Sequence, residues 1–162
     1  AVARFVAVVV LPTPPFWLAM ANICGPAPGL GDGSPGGEVA DSKDDGVSWT
    51  VARDTAIPNP GASIEAIALA SGKWLMVYND VERGRWSLAA ALSDDEGATW
   101  KHLRHLEGDP AVPTKNSFHY PSVIQAKDGS IHVTYSHFTP AGKSIKHVRF
   151  TEDWIQAGDP KH

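Results

Sequence analysis

The sequence predicts an all-β protein built from repeated antiparallel units, the arrangement found in β-propellers. An eight-residue segment occurs twice, as SKDDGVSW from Ser42 and as SDDEGATW from Ser93, and the two copies start 51 residues apart. A repeat of this length is typical of stacked β units or propeller blades. No stretch of about a dozen residues has its apolar positions at the helical period, so we expect almost no helix.

Strand–turn–strand segments repeat along the chain as well. Residues 66–79 (AIALASGKWLMVYN) are similar to residues 122–136 (SVIQAKDGSIHVTYS) when Gly72 is laid on Gly129. Each segment joins two apolar runs through a Ser-Gly or Asp-Gly turn, which is a hairpin pattern. When the sequence is shifted by the same number of residues, residues 16–22 align with residues 73–79, and Trp17 aligns with Trp74. The N-terminal segment is therefore interpreted as a degenerate first repeat.

These repeats predict three units of about four antiparallel strands each. The expected strands lie near residues 4–11, 16–23, 38–42, 63–69, 73–79, 86–92, 101–106, 119–126, 130–136 and 144–150. Within a single domain, we expect an atypical first blade at 1–37, a middle blade at 38–110 that contains both repeated segments, and a last blade at 111–162. A closed propeller needs about four to eight blades, so we expect the chain to be part of a larger propeller.

Composition and charge limit the possible functions. The formal net charge is −4 and Lys and Arg do not cluster, so nucleic acid is not expected as a partner. The single cysteine, Cys24, forms neither an internal disulfide nor a structural zinc site and does not indicate a compartment. The seven histidines have no metal-ligand spacing, and we expect neither a metal nor a cofactor.

The apolar N-terminal segment, residues 5–21, has the outline of a signal peptide. Three prolines, Pro12, Pro14 and Pro15, interrupt it, and the apolar pieces are too short to span a membrane. Its match with residues 73–79 favours a strand of the first repeat.

The repeated eight-residue segment has two possible roles, a structural turn and a metal-binding loop. In the second copy Asp95 can accept hydrogen bonds from its own loop, Gly97 permits a positive φ, and Trp100 places a large ring beneath the turn. An EF-hand loop requires a glutamate at its twelfth position, where this chain has Leu106. The structural turn is favoured, and its residues are Ser42, Asp44, Gly46 and Trp49 in the first copy and Ser93, Asp95, Gly97, Thr99 and Trp100 in the second.

This pattern resembles the Asp-box, or BNR repeat, of the sialidase (neuraminidase) superfamily. The resemblance implies a six-bladed β-propeller, of which this chain is similar to the C-terminal half and forms about three blades. It implies that the Asp-box joins the third and fourth strands of a blade, away from the active site. It also implies an exo-glycosidase that releases a terminal sialic acid, or a related acidic sugar, from glycoconjugates with retention of configuration.

The resemblance further suggests which residues carry the chemistry. The segment NSFHYPSVIQAKDGSIHVTY is similar to the family segment with the nucleophilic tyrosine, which places the candidate nucleophile at Tyr120. The segment GRWSLAAALSDDEG is similar to the one carrying the last of three arginines that bind the sugar carboxylate, which places that role at Arg85. A neutral tyrosine suits an anionic substrate, which would repel a carboxylate nucleophile. Glu65 and His119 are further candidates for lining the pocket, although strand alternation directs His119 to the face opposite Tyr120.

The chain departs from the family pattern in its first unit. No Asp or Glu precedes Asp32, and no Arg lies between Arg4 and Arg53, where the resemblance implies an activating Glu and a second arginine. The chain alone is therefore expected to be inactive. Two functions remain open, a sialidase-like glycoside hydrolase that is completed by the remaining propeller blades, and a non-catalytic glycan-binding or scaffold propeller. Residues 1–37 are also open to the interpretation that they are not native sequence.

Overall fold

Three antiparallel sheets contain most of the described residues. The computed structural model describes residues 5–9, 17–22, 36–42 and 47–160. The strand order is β1-β2-β3-β4 in the first sheet, β5-β6-β7-β8 in the second and β9-β10-β11 in the third. The strands are β1 Phe5–Val9, β2 Trp17–Asn22, β3 Gly36–Ser42, β4 Arg53–Pro58, β5 Glu65–Ala68, β6 Trp74–Tyr78, β7 Leu88–Ser93, β8 Lys101–Glu107, β9 Ser117–Gln125, β10 Ile131–Thr139 and β11 Gly142–Phe150. A short helix, α1, follows at Glu152–Gln156.

The predicted all-β class is confirmed. The strand Gly36–Ser42 belongs to the first sheet, because β3 pairs with β2 on one side and with β4 on the other. The first sheet therefore extends to Pro58 rather than ending near residue 37. Sequence reasoning missed β4 because its strand, RDTAIP, is polar at its start and largely exposed, without the clear alternation of a half-buried strand.

The first strands of the sheets lie side by side. β1 contacts β5, and β5 contacts β9, while β4 and β8 form the far edges of their sheets. The first strands β1, β5 and β9 thus form one shared edge, the inner rim. This is the arrangement of propeller blades.

The second sheet is buried on both faces. Along β6, Leu75 and Val77 point toward the third sheet, where they pack with Val133 and other residues of β9–β11. The alternate residues Trp74 and Met76 pack instead in a cluster that includes residues of the first sheet. Such two-sided burial needs apolar residues at every position, and all of β6 and nearly all of β7 are apolar as a result.

The hairpins aligned in the sequence have the same geometry. In the turn at 69–73, Leu69 N–H donates to the Lys73 carbonyl at 2.8 Å and Gly72 N–H donates to the Leu69 carbonyl at 2.9 Å. In the turn at 126–130 the equivalent bonds also measure 2.8 and 2.9 Å. The two glycines have φ values of 87° and 82°. The sequence alignment therefore matches structurally equivalent positions.

The second Asp-box is a turn closed by its own side chains. Asp95 Oδ1 accepts hydrogen bonds from Ser93 Oγ and from Thr99 N–H, both at 2.8 Å, and Asp95 Oδ2 accepts one from Thr99 Oγ1. Ser93 Oγ in turn accepts from Gly97 N–H at 2.8 Å. These bonds, led by that of the Thr99 hydroxyl, lower the pKa of Asp95 to about 2. Both carboxylate oxygens thus bind the turn itself.

The box joins β7 to β8, and the pairing of Ser93 with Trp74 places it at the same end of the sheet as the hairpin 69–73. In the first copy, Ser42 is buried at the end of β3 and Trp49 is partly exposed. Asp44 and Gly46 lie outside the described residues.

A charged cluster fastens the C-terminal segment to β8. His105 Nε2 lies 2.6 Å from Asp80 Oδ2, and its Nδ1 lies 2.5 Å from Asp159 Oδ2. The hydrogen bond with Asp80, opposed by burial and reinforced by Asp159, raises the pKa of His105 to about 9. The side chain of His105 is only 16% exposed because the chain after α1 returns across β8. In the described part of the chain, no helix has the length and apolar character needed to cross a membrane.

We expect Asp95→Asn to lower the melting temperature and to weaken the acid dependence of stability. The folded pKa of Asp95 lies below its ordinary value, so its contribution is present above about pH 4 and is lost as the pH falls toward 2. Thermal unfolding followed by circular dichroism between pH 2.5 and 7 measures this. The matched control is Asp94→Asn, which changes the neighbouring exposed carboxylate of the same turn, one that bonds Lys101 and not the Ser93 or Thr99 groups; equal effects of the two variants contradict the structural role of Asp95.

We expect His105→Asn to remove a stabilisation that the wild type has below about pH 6.5 and loses as the pH rises through about 9, because the folded pKa is raised. The loss at neutral pH should be roughly 1–3 kcal/mol in urea unfolding. The control is His102→Asn, in the same strand but exposed. A His105 variant with an unchanged pH profile of stability argues against the charged cluster.

Candidate functional site

One end of the second and third sheets gathers the candidate site residues. β5 and β9 begin at this end, and the loop 79–87 and the hairpin at 139–142 lie there as well, since β6 and β10 run antiparallel to β5 and β9. The Asp-box 93–100 lies at the opposite end. The candidate site and the Asp-box are therefore separated by the length of the strands.

The loop that carries Arg85 has a tightly defined path. Gly84 has a φ of 72°, and a Cβ at this position would lie 2.3 Å from the ring of Trp86, so only glycine fits. Trp86 is fixed in turn by its Nε1–H, which donates to the Pro110 carbonyl at 3.3 Å. The Arg85 carbonyl accepts a hydrogen bond from Phe118 N–H of β9 at 2.8 Å. The backbone of Arg85 is thereby fixed beside the strand that holds Tyr120.

Within the described residues, two groups bond the guanidinium of Arg85. Its Nη1 lies 2.6 Å from His119 Nδ1, and its Nη2 donates to the Gly61 carbonyl at 3.0 Å. A guanidinium has about five N–H groups, so these two bonds leave others for a ligand. A planar guanidinium held in this way is suited to binding a carboxylate through two parallel hydrogen bonds.

A β-bulge presents Tyr120. Thr134 pairs with Ser122 and Ser136 pairs with His119, so Tyr120 and Pro121 together face the single residue Tyr135. Tyr120 has a φ of 50°, and 66% of the residue is exposed. A positive φ in a bulky residue is uncommon and costs conformational energy, and such residues concentrate at functional sites. Pro121 has no N–H to leave unpaired at the bulge.

The bulge also corrects the expected orientation of His119. Regular alternation would put His119 on the face opposite Tyr120, but the two rings lie 6.0 Å apart and are tilted by 32°. Its Nδ1 faces Arg85, and its Nε2 contacts Ser117 Oγ. Burial, with the positive charges of Arg85 and Lys143, lowers the pKa of His119 below its ordinary value. His119 therefore lies within the same cluster as Arg85 and Tyr120.

Glu65 lies at the start of β5, against Ser122 and Val123 of β9. Burial raises the pKa of its carboxyl, and the Ser122 hydroxyl and Val123 N–H partly offset this effect. The two strands thus place Glu65 beside the segment that follows Tyr120, at the inner rim.

Four contacts of the cluster were not foreseen. Lys143 Nζ lies 4.9 Å from the centre of the Phe138 ring, which is itself 4.9 Å from the ring of His119. Ser117 precedes His119 by two positions and shares its side of β9, a relation that strand periodicity could have indicated. Lys143 and the Gly61 carbonyl reach the cluster from other elements, and no local sequence signal marks them.

Comparison with known proteins places this architecture in a family. The family model of the BNR repeat-like domain matches residues 38–133, more than half of the chain. The chain belongs to the sialidase and BNR-repeat superfamily. No curated protein matches the sequence of this BNR-repeat chain.

Solved structures share the fold of this BNR-repeat chain at low identity. The leech intramolecular trans-sialidase, in complex with 2,7-anhydro-Neu5Ac, is similar with a TM-score of 0.73 and 14% identity over 95% of this chain and 24% of its own. The intramolecular trans-sialidase of Ruminococcus gnavus has a TM-score of 0.71 and 17% identity over 94% of this chain and 33% of its own. The GH93 α-L-arabinofuranosidase of Fusarium graminearum has a TM-score of 0.59 and 17% identity over 84% of this chain and 42% of its own.

These similarities establish a glycosidase-like propeller fold. The chain spans between about a quarter and a half of the length of these structures. Because sialidases and an arabinofuranosidase share the fold, the substrate has to be argued from the site.

We expect Arg85→Lys to weaken the binding of a carboxylate ligand by about 10- to 100-fold, because lysine keeps the charge but loses the planar pair of donors. Isothermal titration calorimetry measures the change. The matched control is Arg83→Lys, an exposed arginine two positions away, which should bind as the wild type does. Similar losses of affinity in both variants would mean that binding depends on overall positive charge and not on the planar pair of donors of Arg85.

Proposed function

We propose that this BNR-repeat domain forms part of a sialidase-like glycoside hydrolase that removes a terminal sialic acid, or a related acidic sugar, from glycoconjugates. The observation that carries the proposal is the exposed Tyr120 on a bulge, in one cluster with Arg85. A strained and exposed tyrosine beside an oriented guanidinium suits a nucleophile and an anchor for an anionic sugar.

In the proposed reaction, Arg85 binds the sugar carboxylate with the N–H groups that His119 and Gly61 leave free. Tyr120 Oη attacks the anomeric carbon, the glycosidic bond breaks, and the leaving oxygen receives a proton from an acid. The phenolic proton passes to a carboxylate base. Water then attacks the anomeric carbon and gives a proton to the deprotonated acid, while the bond to Tyr120 Oη breaks and the base returns its proton to that oxygen, with overall retention.

The acid and base are proposed to come from other blades of the same propeller. The resemblance implies an Asp acid/base and a Glu base, and the first unit of this chain has no acidic residue before Asp32. The outer face of the third sheet supports the presence of a neighbouring blade, because Ile124 and Ile145 are 62% and 70% exposed on it. The remaining propeller blades and a glycan are therefore the proposed partners.

A second function, glycan binding without hydrolysis, is favoured by one specific feature. The segments 5–11 and 16–23 contain no acidic residue that could activate Tyr120. A tyrosine without a base keeps its proton at neutral pH and is a poor nucleophile. Binding of acidic glycans without product release distinguishes this function from the first.

We expect Tyr120→Phe in the full-length protein to lower the turnover of a sialoside by about 10³-fold or more, because the attacking oxygen is lost. Release of free sialic acid from sialyllactose measures the rate. Mass spectrometry of the quenched wild-type protein should detect one sugar unit attached at Tyr120.

The matched control is Tyr78→Phe, which removes a hydroxyl from a buried tyrosine of β6 and should leave turnover near the wild-type rate. Equal activity in wild type and Tyr120→Phe would exclude Tyr120 as the nucleophile. A wild-type protein that binds sialosides but never releases sialic acid supports the binding function instead.

A further inference from the structure

We propose that His119 is a positioning residue whose neutral imidazole accepts a hydrogen bond from Arg85 and so holds the guanidinium in the orientation that binds an acidic sugar. This inference rests on the proposed function of Arg85 as the anchor for the sugar carboxylate. It assigns to His119 an action through Arg85 and not a direct role in the reaction.

The direction of the hydrogen bond fixes the protonation state of the ring. Arg85 Nη1 lies 2.6 Å from His119 Nδ1, and a guanidinium only donates. His119 Nδ1 must therefore be unprotonated. The ring proton is then on Nε2, which donates to Ser117 Oγ. Both nitrogens of the neutral ring are thus hydrogen-bonded, Nδ1 as an acceptor and Nε2 as a donor.

The surroundings of His119 oppose a second proton. Arg85 approaches from the loop between β6 and β7, and Lys143 lies on β11, near the Phe138 ring that the imidazole also contacts. Tyr120 and Ser117 are the other polar neighbours on its own strand. Burial and the two cations lower the pKa of His119, so the neutral acceptor is the form expected at neutral pH.

The Gly61 carbonyl gives Arg85 a second fixed acceptor, 3.0 Å from Nη2. Two acceptors on different elements hold both ends of the guanidinium, whereas one acceptor would leave it free to rotate. A protonated His119 has no acceptor at Nδ1 and repels Arg85. Acidification should therefore release one end of the guanidinium and weaken the binding of a carboxylate.

The first test is ¹⁵N NMR of the histidine ring and of the Arg85 guanidinium in the full chain. We expect the neutral tautomer with the proton on Nε2 at pH 7, and a change in the Arg85 signals when His119 is protonated. A ring with the proton on Nδ1 at pH 7 overturns the proposal, because it cannot accept from Arg85.

The second test compares the binding of free sialic acid at pH 7 and pH 5. Wild-type affinity should fall as His119 becomes protonated below pH 7, and His119→Leu should be about tenfold weaker than wild type at pH 7. His119→Asn supplies an acceptor near the position of Nδ1 but does not titrate. It should bind within about threefold of wild type at pH 7 and lose the decline at pH 5.

The matched control is His132→Asn, at the far end of β10, which should keep the wild-type pH profile. A decline at pH 5 that persists in His119→Asn overturns the proposal. If the wild type binds no sialic acid at either pH, the proposed function fails, and the NMR test still decides the inference. The inference is supported if the Arg85 signals change with the protonation of His119 in wild type but not in His119→Asn. It is overturned if the Arg85 signals do not change when His119 is protonated.

Discussion

Two-sided burial of the second sheet is the constraint on which the rest of the structure depends. Alternate residues of β6 and β7 pack on one side with the third sheet and on the other with the first, so the sheet cannot shift its register without exposing one of the two cores. This packing fixes β5 beside β9, and with them the starts of both strands. The position of Arg85 relative to Tyr120 is a consequence of this packing.

The candidate site depends on two local departures from regular structure that the packed sheets support. The loop at Gly84 brings Arg85 against β9, and the bulge at Tyr120 turns the tyrosine outward and His119 toward Arg85. A positive φ at Tyr120 costs energy, which the surrounding hydrogen bonds and the buried Phe118 and Val123 offset. The hydrogen bonds of the Asp-box are equally specific, but they stabilise the turn, because both carboxylate oxygens of Asp95 accept from residues of the turn itself.

Much of the fold could be predicted because its signals are local. The Asp-box, the paired glycine hairpins and the apolar runs of β6 and β7 each depend on residues close together in the sequence. β4 was missed because its polar and exposed strand has no alternating pattern. The burial of His105 has no local signal, because its partners Asp80 and Asp159 are distant in the sequence.

The sequence by itself determined the repeat, the all-β class, the Asp-box turn and the identity of Arg85 and Tyr120 as candidates. Only the tertiary structure decided that His119 faces Arg85, that the Gly61 carbonyl completes its support, and that Lys143 stands near the same ring. The physical reason is that neighbouring residues encode a turn or an alternating strand. The bulge in β9 instead depends on its pairing with β10, and it changes which face of the sheet the following side chains occupy.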